Sequence, residues 1–226
     1  MRVAALYDVH GNLNALDAVL RAVPDDAAIV VGGDVAAGPF PQETVDRLRA
    51  LGDRAHWIRG NADRELGAGE QGLAPPELME WVRSRLDADT IEWLIRLPPT
   101  FACDVSGIGG VLFCHATPQN DEDIFTVRTP EERIATQFAS VDAELVVCGH
   151  THMQFERTIG GVRVVNSGSV GMPYEDEPGA YWTLLGPDVG FRHERCELDT
   201  GDWPGEWPSS SREEAVAFFE TRAVGA

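Results

Sequence analysis

Five short segments of this chain share one pattern: an apolar run, then a residue that can bind a metal. They read AALYDVHGN, AIVVGGDVAAG, HWIRGNAD, GVLFCHATP and LVVCGHTHMQ. Together they carry the candidates Asp8, His10, Asp34, Asn61, His115, His150 and His152, which include four of the six histidines. Each piece alone has an ordinary reading. Asp8 suits a cap or turn, Gly32-Gly33-Asp34 and Gly60-Asn61 suit turns, and His115 suits a satisfied core histidine. Two imidazoles in Gly149-His150-Thr151-His152, straight after a buried strand, are costly without partners. Five such coincidences make the ordinary reading a poor account of the set.

A mixture of carboxylate, imidazole and amide suits a harder divalent ion such as Mn²⁺ or Fe, with Zn²⁺ as an alternative. A carboxylate can bridge two ions, and a pair about 3.5–4 Å apart clamps both oxygens of an in-line phosphoryl displacement. The residue types thus point to metal-assisted hydrolysis of phosphate esters. A Cys/His zinc site is the weaker alternative. Cys114 precedes His115 and faces the other side of a strand, whereas alternation lets Cys148 share a face with His150. His56 and His193 lie within strands and read as packing or surface residues.

The elements that must position these residues alternate at first. Arg2–Tyr7 reads as a strand, then a helix runs from Asn12 or Asn14 to Val23 with Leu13, Leu16, Leu20 and Val23 at helical spacing. Ala27–Val31, Gln42–Leu51 and Ala55–Ile58 repeat strand, helix and strand. This order implies a parallel sheet covered by helices, whose strand C-termini line the ligand crevice. Residues 64–98 break the rhythm: ELGAGEQG leads to Pro75-Pro76, a helix with Leu78, Trp81, Val82 and Leu86 on one face, and a short helix Thr90–Leu97. We read this as an inserted helical cap in a single domain spanning 1–226, with Trp81 and Trp93 as packing residues. Strands follow at Thr100–Val105, Gly110–His115, Glu144–Cys148, Gln154–Ile159, Val162–Asn166, Ala180–Leu185 and Gly190–Cys196. Gly160-Gly161 tips a hairpin, DWPGEWPSS is a loop, and Ser211 with Glu214 caps a terminal helix over 211–223.

The 226 residues, 43% of them hydrophobic, can build a core without disulfides. Cys103, Cys114, Cys148 and Cys196 show no CxxC pair and read as reduced thiols. The net charge is −19 and no lysine is present, which argues against binding long nucleic acids. It leaves room for a small anionic substrate held by a metal. No apolar run approaches the ~20 residues that span a bilayer. The N-terminal apolar stretch is too short for a signal peptide, so the expectation is a cytoplasmic protein with no membrane partner; the oligomeric state is not written in the sequence.

Taken together, Asp8-Val9-His10, Gly33-Asp34, Gly60-Asn61, His115 and Gly149-His150-Thr151-His152 resemble the calcineurin-like metallophosphoesterase superfamily, from residue 1 to about 173. Asn166-Ser167-Gly168-Ser169 looks like the NPGS-type turn of the bacterial YfcE-like phosphodiesterase branch, with Ser167 where proline is usual. APPELMEWVRSRLDADTIEWLIRLP looks like a cap in bacterial members related to diadenosine tetraphosphatases and protein phosphatases. The resemblance implies an α/β sandwich of two mixed β-sheets flanked by helices. It implies two divalent ions, Mn²⁺ first, with Fe, Zn²⁺ or Ni²⁺ as alternatives. Asp8, His10 and His152 would hold one, Asn61, His115 and His150 the other, and Asp34 would bridge them. A metal-bound hydroxide would attack phosphorus in line, with Asp34, Asn61 and His115 in the catalytic set.

Position 62 departs from the pattern. Many members read Gly-Asn-His there, and that histidine helps the leaving group depart; this chain reads Gly60-Asn61-Ala62-Asp63. General acid catalysis is worth about 10²–10⁴-fold, so its loss favours phosphodiesters or activated esters over alkyl monoesters. Gly60 and Gly149 would let the backbone approach the site, and Asp63 would orient the loop or a histidine. Arg59 and Arg64 are candidates to contact a phosphate, while Asp121-Glu122-Asp123 reads as a solvated loop. The expected activity is a dinuclear phosphodiesterase on a small-molecule or nucleotide substrate. The alternatives are a dinucleoside polyphosphate hydrolase, a protein serine/threonine phosphatase, or a non-catalytic metal-binding module.

Overall fold

The computed structural model describes residues 1–67, 72, 74–197, 200–205 and 211–225. Part of the Gly-rich stretch (68–71 and 73) and the end of the loop DWPGEWPSS (206–210) lie outside the described residues. Among the described residues, ten strands form two five-stranded sheets that pack face to face. The first holds β1 (Arg2–Leu6), β2 (Ala27–Val31), β3 (Ala55–Trp57), β9 (Ala180–Leu185) and β10 (Val189–Glu194), in the order β10-β9-β1-β2-β3. The second holds β4 (Thr100–Val105), β5 (Gly109–Cys114), β6 (Leu145–Cys148), β7 (Gln154–Ile159) and β8 (Val162–Ser167), in the order β4-β5-β6-β8-β7. Both sheets are mixed: β1, β2 and β3 run parallel, as do β5, β6 and β8, with antiparallel strands outside them.

Strand alternation divides the core into layers. Val3, Ala5 and Tyr7 of the first sheet meet Phe113, Val147 and Val165 of the second between the sheets. Ala4, Leu6 and Ile29 face the other way and pack under α1 (Leu13–Ala22) and α2 (Pro41–Arg49). Strands buried on both faces read as continuous apolar runs, which is how RVAAL and AAIVV look in the sequence. The Asn12 side chain caps α1 by accepting the Ala15 N–H at 3.1 Å. A one-turn helix, α3 (Asn61–Arg64), follows β3, and the expected cap segment forms α4 (Pro76–Ser84) and α5 (Ala88–Ile95), whose Met79, Val82 and Leu94 join the same apolar cluster. Trp93 packs edge-on against Trp57 and Trp81 against Trp203.

Two features differ from the sequence reading. A helix, α6 (Glu131–Phe138), lies between the expected strands Gly110–His115 and Glu144–Cys148, where the sequence reading assigns no element. Its Ile134 and Phe138, four apart, bury against Cys114, Val146, Cys148 and Val164 on the outer face of the second sheet. Burying two such side chains contributes about 1.5–3 kcal/mol each, enough to fix a short helix with an unremarkable sequence. The same cluster corrects the reading of Cys148: it points outward with Cys114 into this core, away from the histidines that follow it. His56 stacks on Phe101 and His193 on Tyr181, as packing residues do. The terminal helix α7 (Arg212–Glu220) starts at the expected Ser211–Glu214 capping box and ends three residues earlier than expected. No helix among the described residues is long and apolar enough to cross a membrane.

The topology brings the polar segments together. All five begin at the C-terminal ends of parallel strands: β1, β2 and β3 in one sheet, β5 and β6 in the other. Beyond β1 and β2 the pairing continues through the loops, with His10 N donating to Asp34 O at 2.9 Å and Gly11 N to Val35 O at 2.8 Å. The turn after β8 crosses to the first sheet, where Val170 N donates to Tyr7 O at 2.9 Å and Ser169 Oγ to Asp8 O at 2.7 Å. Tyr7 closes the junction by donating its hydroxyl to Val147 O at 2.8 Å.

Candidate metal centre

Asp8, His10, Asp34, His150 and His152 are the non-glycine residues with left-handed backbone among the described residues, at φ of 53°, 45°, 53°, 68° and 58°. Each such conformation costs on the order of 1–3 kcal/mol and persists only where surrounding structure over-determines it. Here the loop bonds just described hold Asp8, His10 and Asp34, while His150 donates its N–H to Asp8 and His152 O accepts the Tyr174 N–H at 3.1 Å. The result is a buried polar knot. His152 Nε2 lies 3.4 Å from Asp8 Oδ1, His115 Nε2 lies 3.5 Å from Asp34 Oδ2, and His10 Nε2 lies 3.8 Å from the same Asp34 oxygen. Asn61 Oδ1 sits 3.1 Å from His115 Nε2.

Backbone carbonyls fix which ring nitrogens face the centre. A carbonyl only accepts, so His10 Nδ1–H donates to Ala37 O at 2.9 Å, His115 Nδ1–H to Gly32 O at 2.8 Å and His152 Nδ1–H to Met172 O at 2.7 Å. Each bond leaves Nε2 as the inward atom, the second-shell arrangement typical of histidine metal ligands. His10 Nε2 and His152 Nε2 then face each other at 3.2 Å. In the neutral rings these are two lone pairs with no proton between them. Asn61 is turned the same way: its Nδ2 donates to Glu65 Oε1 at 3.0 Å, which presents Oδ1 inward.

The carboxylates are held by one oxygen and offer the other. Asp8 Oδ2 accepts the His150 N–H at 2.9 Å, and Asp34 Oδ1 accepts the Ala62 N–H at 2.8 Å. Glycines make the approach possible: a Cβ on Gly60 would stand 2.1 Å from Asp34 Oδ1, and one on Gly149 would stand 2.4 Å from Asp8 Oδ2. Asp63 orients backbone and no histidine. Its Oδ2 accepts N–H groups of Asp34 at 2.8 Å and Gly60 at 2.9 Å, and its Oδ1 that of Val35 at 3.1 Å.

Electrostatics follow from crowding without water. Burial lowers the His150 pKa to about 4, with repulsion from His115 adding to it. Burial also lowers His10, next to His152. Burial alone would lower His115 too, but the Asp34 carboxylate outweighs it and raises its pKa to about 10. Burial would raise Asp34, yet the adjacent His115 holds it well below the usual carboxylate range. Burial and then Asp34 push Asp63 up to about 7, against the pull of its N–H donors.

The residues fit a pair of divalent cations. Asp8 Oδ1 and His150 Nε2 are buried without a hydrogen-bond partner among the described residues, a costly state for a carboxylate oxygen and an imidazole nitrogen. The donor atoms of Asp8, His10 and His152 form one compact group and those of Asp34, His115 and His150 a second, each within 4.8 Å. Asn61 joins the second through its contact with His115. Oxygen and imidazole donors without thiolate suit hard or borderline divalent ions.

A family model described as the calcineurin-like phosphoesterase superfamily domain matches residues 1–185. The chain belongs to this superfamily. A symmetrical bis(5'-nucleosyl)-tetraphosphatase from Janthinobacterium sp. (strain Marseille) is 35% identical over 124 residues, 51% of this chain but only 43% of that protein. The crystal structure of a metallophosphoesterase from Sphaerobacter thermophilus superposes with a TM-score of 0.70 at 25% identity, over 87% of this chain and 89% of that one. The phosphoesterase YfcE from E. coli shares the fold with a TM-score of 0.51 at 21% identity, over 82% of this chain and 88% of its own. The two mixed sheets flanked by helices are thus the metallophosphoesterase sandwich.

In this member of the superfamily, His10, Asp34, Asn61, His150 and His152 line the floor of a cavity of about 440 Å³, and Ala62 lies beside them. Arg59 and Arg64 do not line it. Arg59 Nε is 3.7 Å from Asp121 Oδ2 and its Nη1 donates to Ile95 O at 3.2 Å, while Arg64 binds Asp121 and Glu122. The acidic run expected as a solvated loop is the partner of these arginines. The cavity's cation is instead Arg222, beyond α7, and its rings include Tyr174, Trp203, Phe218 and Phe219. The sequence reading had no periodic or motif signal for these residues, because they reach the site only through the docking of the terminal helix.

Proposed function

We propose that this chain is a dinuclear metal-dependent phosphodiesterase acting on small-molecule or nucleotide esters, with Mn²⁺ as the first choice of metal. The observation that carries the reading is the convergence of two buried donor groups in which Asp8 Oδ1 and His150 Nε2 have no hydrogen-bond partner among the described residues. Divalent cations bound there supply an acidified water and charge neutralisation at a phosphoryl group. The chain's own part is positional. Asp8, His10 and His152 would hold one cation, Asn61, His115 and His150 the other, with Asp34 between the groups. Nδ1–carbonyl bonds lock the rings of His10, His115 and His152, so no reorganisation is needed when an ion or substrate enters.

Ala62 supports the preference for diesters. It lines the cavity but has no proton to give, so a leaving group must depart on its own stability. Tyr174, the phenol in the lining, is a poor replacement, because burial raises its pKa further from neutrality. A second reading, hydrolysis of dinucleoside polyphosphates, is supported by the 35% identity to the tetraphosphatase over half of this chain.

The test is to strip the protein of metal and assay bis(p-nitrophenyl) phosphate beside p-nitrophenyl phosphate, with and without Mn²⁺, using Asp34→Asn as control. Mn²⁺-dependent turnover favouring the diester and lost in Asp34→Asn is expected. A monoester preference would overturn the phosphodiesterase reading, and metal-independent turnover would overturn the dinuclear reading.

A further inference from the structure

The cavity above the candidate metal centre has a wall that, Tyr174 apart, lies outside the family-matched residues 1–185. It is a continuous run of rings. Tyr174 stands over His152 with ring centroids 5.4 Å apart, Phe219 meets Tyr174 edge-on at 5.5 Å, and Phe218 meets Phe219 edge-on at 5.5 Å. The Arg222 guanidinium then lies over the Phe218 ring, 3.8 Å from its centroid. The series leads from a metal-site histidine to a cation at the far side of the cavity.

Two members are open to solvent. Phe218 is 52% exposed, one of few large apolar side chains so placed among the described residues. Arg222 has no carboxylate within ion-pair distance among the described residues, in a chain of net charge −19. Among the described residues its side chain bonds Thr221 Oγ1 at 3.1 Å and Phe218 O at 3.5 Å. The segment is nevertheless anchored on both sides. Thr126 and Thr129 donate their hydroxyls to Glu220, and Arg133 donates to Ala223 O and Val224 O. A fixed wall of rings whose guanidinium has no acidic partner among the described residues, beside the candidate metal centre, has the chemistry of a base-stacking platform beside an anion contact.

We infer that the C-terminal segment is the specificity wall of this site: Phe218 and Arg222 recognise a flat heteroaromatic ring on the phosphoester, so the preferred substrates are nucleotide-like. The inference rests on the phosphodiesterase reading and names its substrate class. Leu78 and Met79 of α4 line the same cavity and give the ring an apolar surface.

The test compares two diesters with the same leaving group, the p-nitrophenyl ester of thymidine 5'-monophosphate and methyl p-nitrophenyl phosphate. The wild type should favour the thymidine ester by about 10-fold or more in kcat/KM, mostly through KM, the scale of one base–aromatic stack. Phe218→Ala and Arg222→Ala should each cut that ratio at least threefold, while Phe191→Ala, another exposed ring on β10, should keep it. Equal kcat/KM for both esters, or a ratio unmoved by both variants, would overturn the inference while leaving the phosphodiesterase reading intact. If neither ester turns over, that reading fails, and calorimetric binding decides the wall by itself. Thymidine 5'-monophosphate binding the Mn²⁺-loaded protein more tightly than methyl phosphate, with the difference lost in Phe218→Ala, would support it; equal affinities would overturn it.

Discussion

Asp63 grips the backbone of Asp34: its Oδ2 accepts the Asp34 N–H at 2.8 Å, while the same oxygen accepts that of Gly60 at 2.9 Å. With Oδ1 on Val35 N at 3.1 Å, one carboxylate joins the loop after β2 to the loop after β3. The two loops carry Asp34 and Asn61, so their separation is set by a residue that faces neither proposed cation. Asp63→Ala would leave three backbone donors without this acceptor in a buried place. We expect a loss of about 3 kcal/mol in urea unfolding and a 10–100-fold weaker affinity for Mn²⁺. Unchanged Mn²⁺ affinity would show that the loops keep their spacing without it.

Gly60 is a matter of room. Its Cβ would stand 2.1 Å from Asp34 Oδ1, an oxygen pinned by the Ala62 N–H at 2.8 Å. Gly60→Ala must therefore displace Asp34, and calorimetric titration should show Mn²⁺ affinity falling by about 10-fold or more. Gly52→Ala is the contrast. Nothing lies within 4 Å of its Cβ, but φ is +56°, so it should cost about 1 kcal/mol of stability and leave metal binding alone.

Metal should stabilise the fold, because the cluster of inward donors exists only in the native state. At a free Mn²⁺ concentration 100 times Kd, linkage gives about 2.7 kcal/mol for one site. For a chain of this size that corresponds to a Tm rise of about 5–10 °C, readable by calorimetry on stripped protein. Asp34→Asn should lose most of the rise. A wild-type Tm that ignores Mn²⁺ would count against the cations.

Ala62→His would restore a proton donor at the cavity floor. The expected gain is largest where the leaving group is poor: about 10-fold or more in kcat for alkyl monoesters, and little for p-nitrophenyl esters. A uniform change across leaving groups would mean that the side chain acts by shape and not by proton transfer.

Much of this was legible in the sequence because the superfamily writes its site as strand-end motifs. Apolar runs such as AALY and LVVC are strands buried on both faces, and the polar residue after each must emerge at one edge of the sandwich. What stayed hidden depends on long-range packing. Nothing local to Asp8 or His150 announces a left-handed backbone; the bonds to neighbouring loops impose it. Glu131–Phe138 lacks a side-chain N-cap and folds as a helix because Ile134 and Phe138 meet the second sheet. Arg59 and Arg64 looked like phosphate contacts by proximity to Asn61, yet Asp121 and Glu122, more than fifty residues away in sequence, claim them. Arg222 is the reverse case, distant in sequence and brought to the cavity by α7.

The most direct test of the dinuclear centre is to titrate stripped protein with Mn²⁺ and record electron paramagnetic resonance alongside equilibrium binding. The two donor groups predict two Mn²⁺ per chain with a spin-coupled spectrum, as for ions about 3.5–4 Å apart, and loss of the coupling in Asp34→Asn. A single bound ion, or two with uncoupled spectra, would contradict the account.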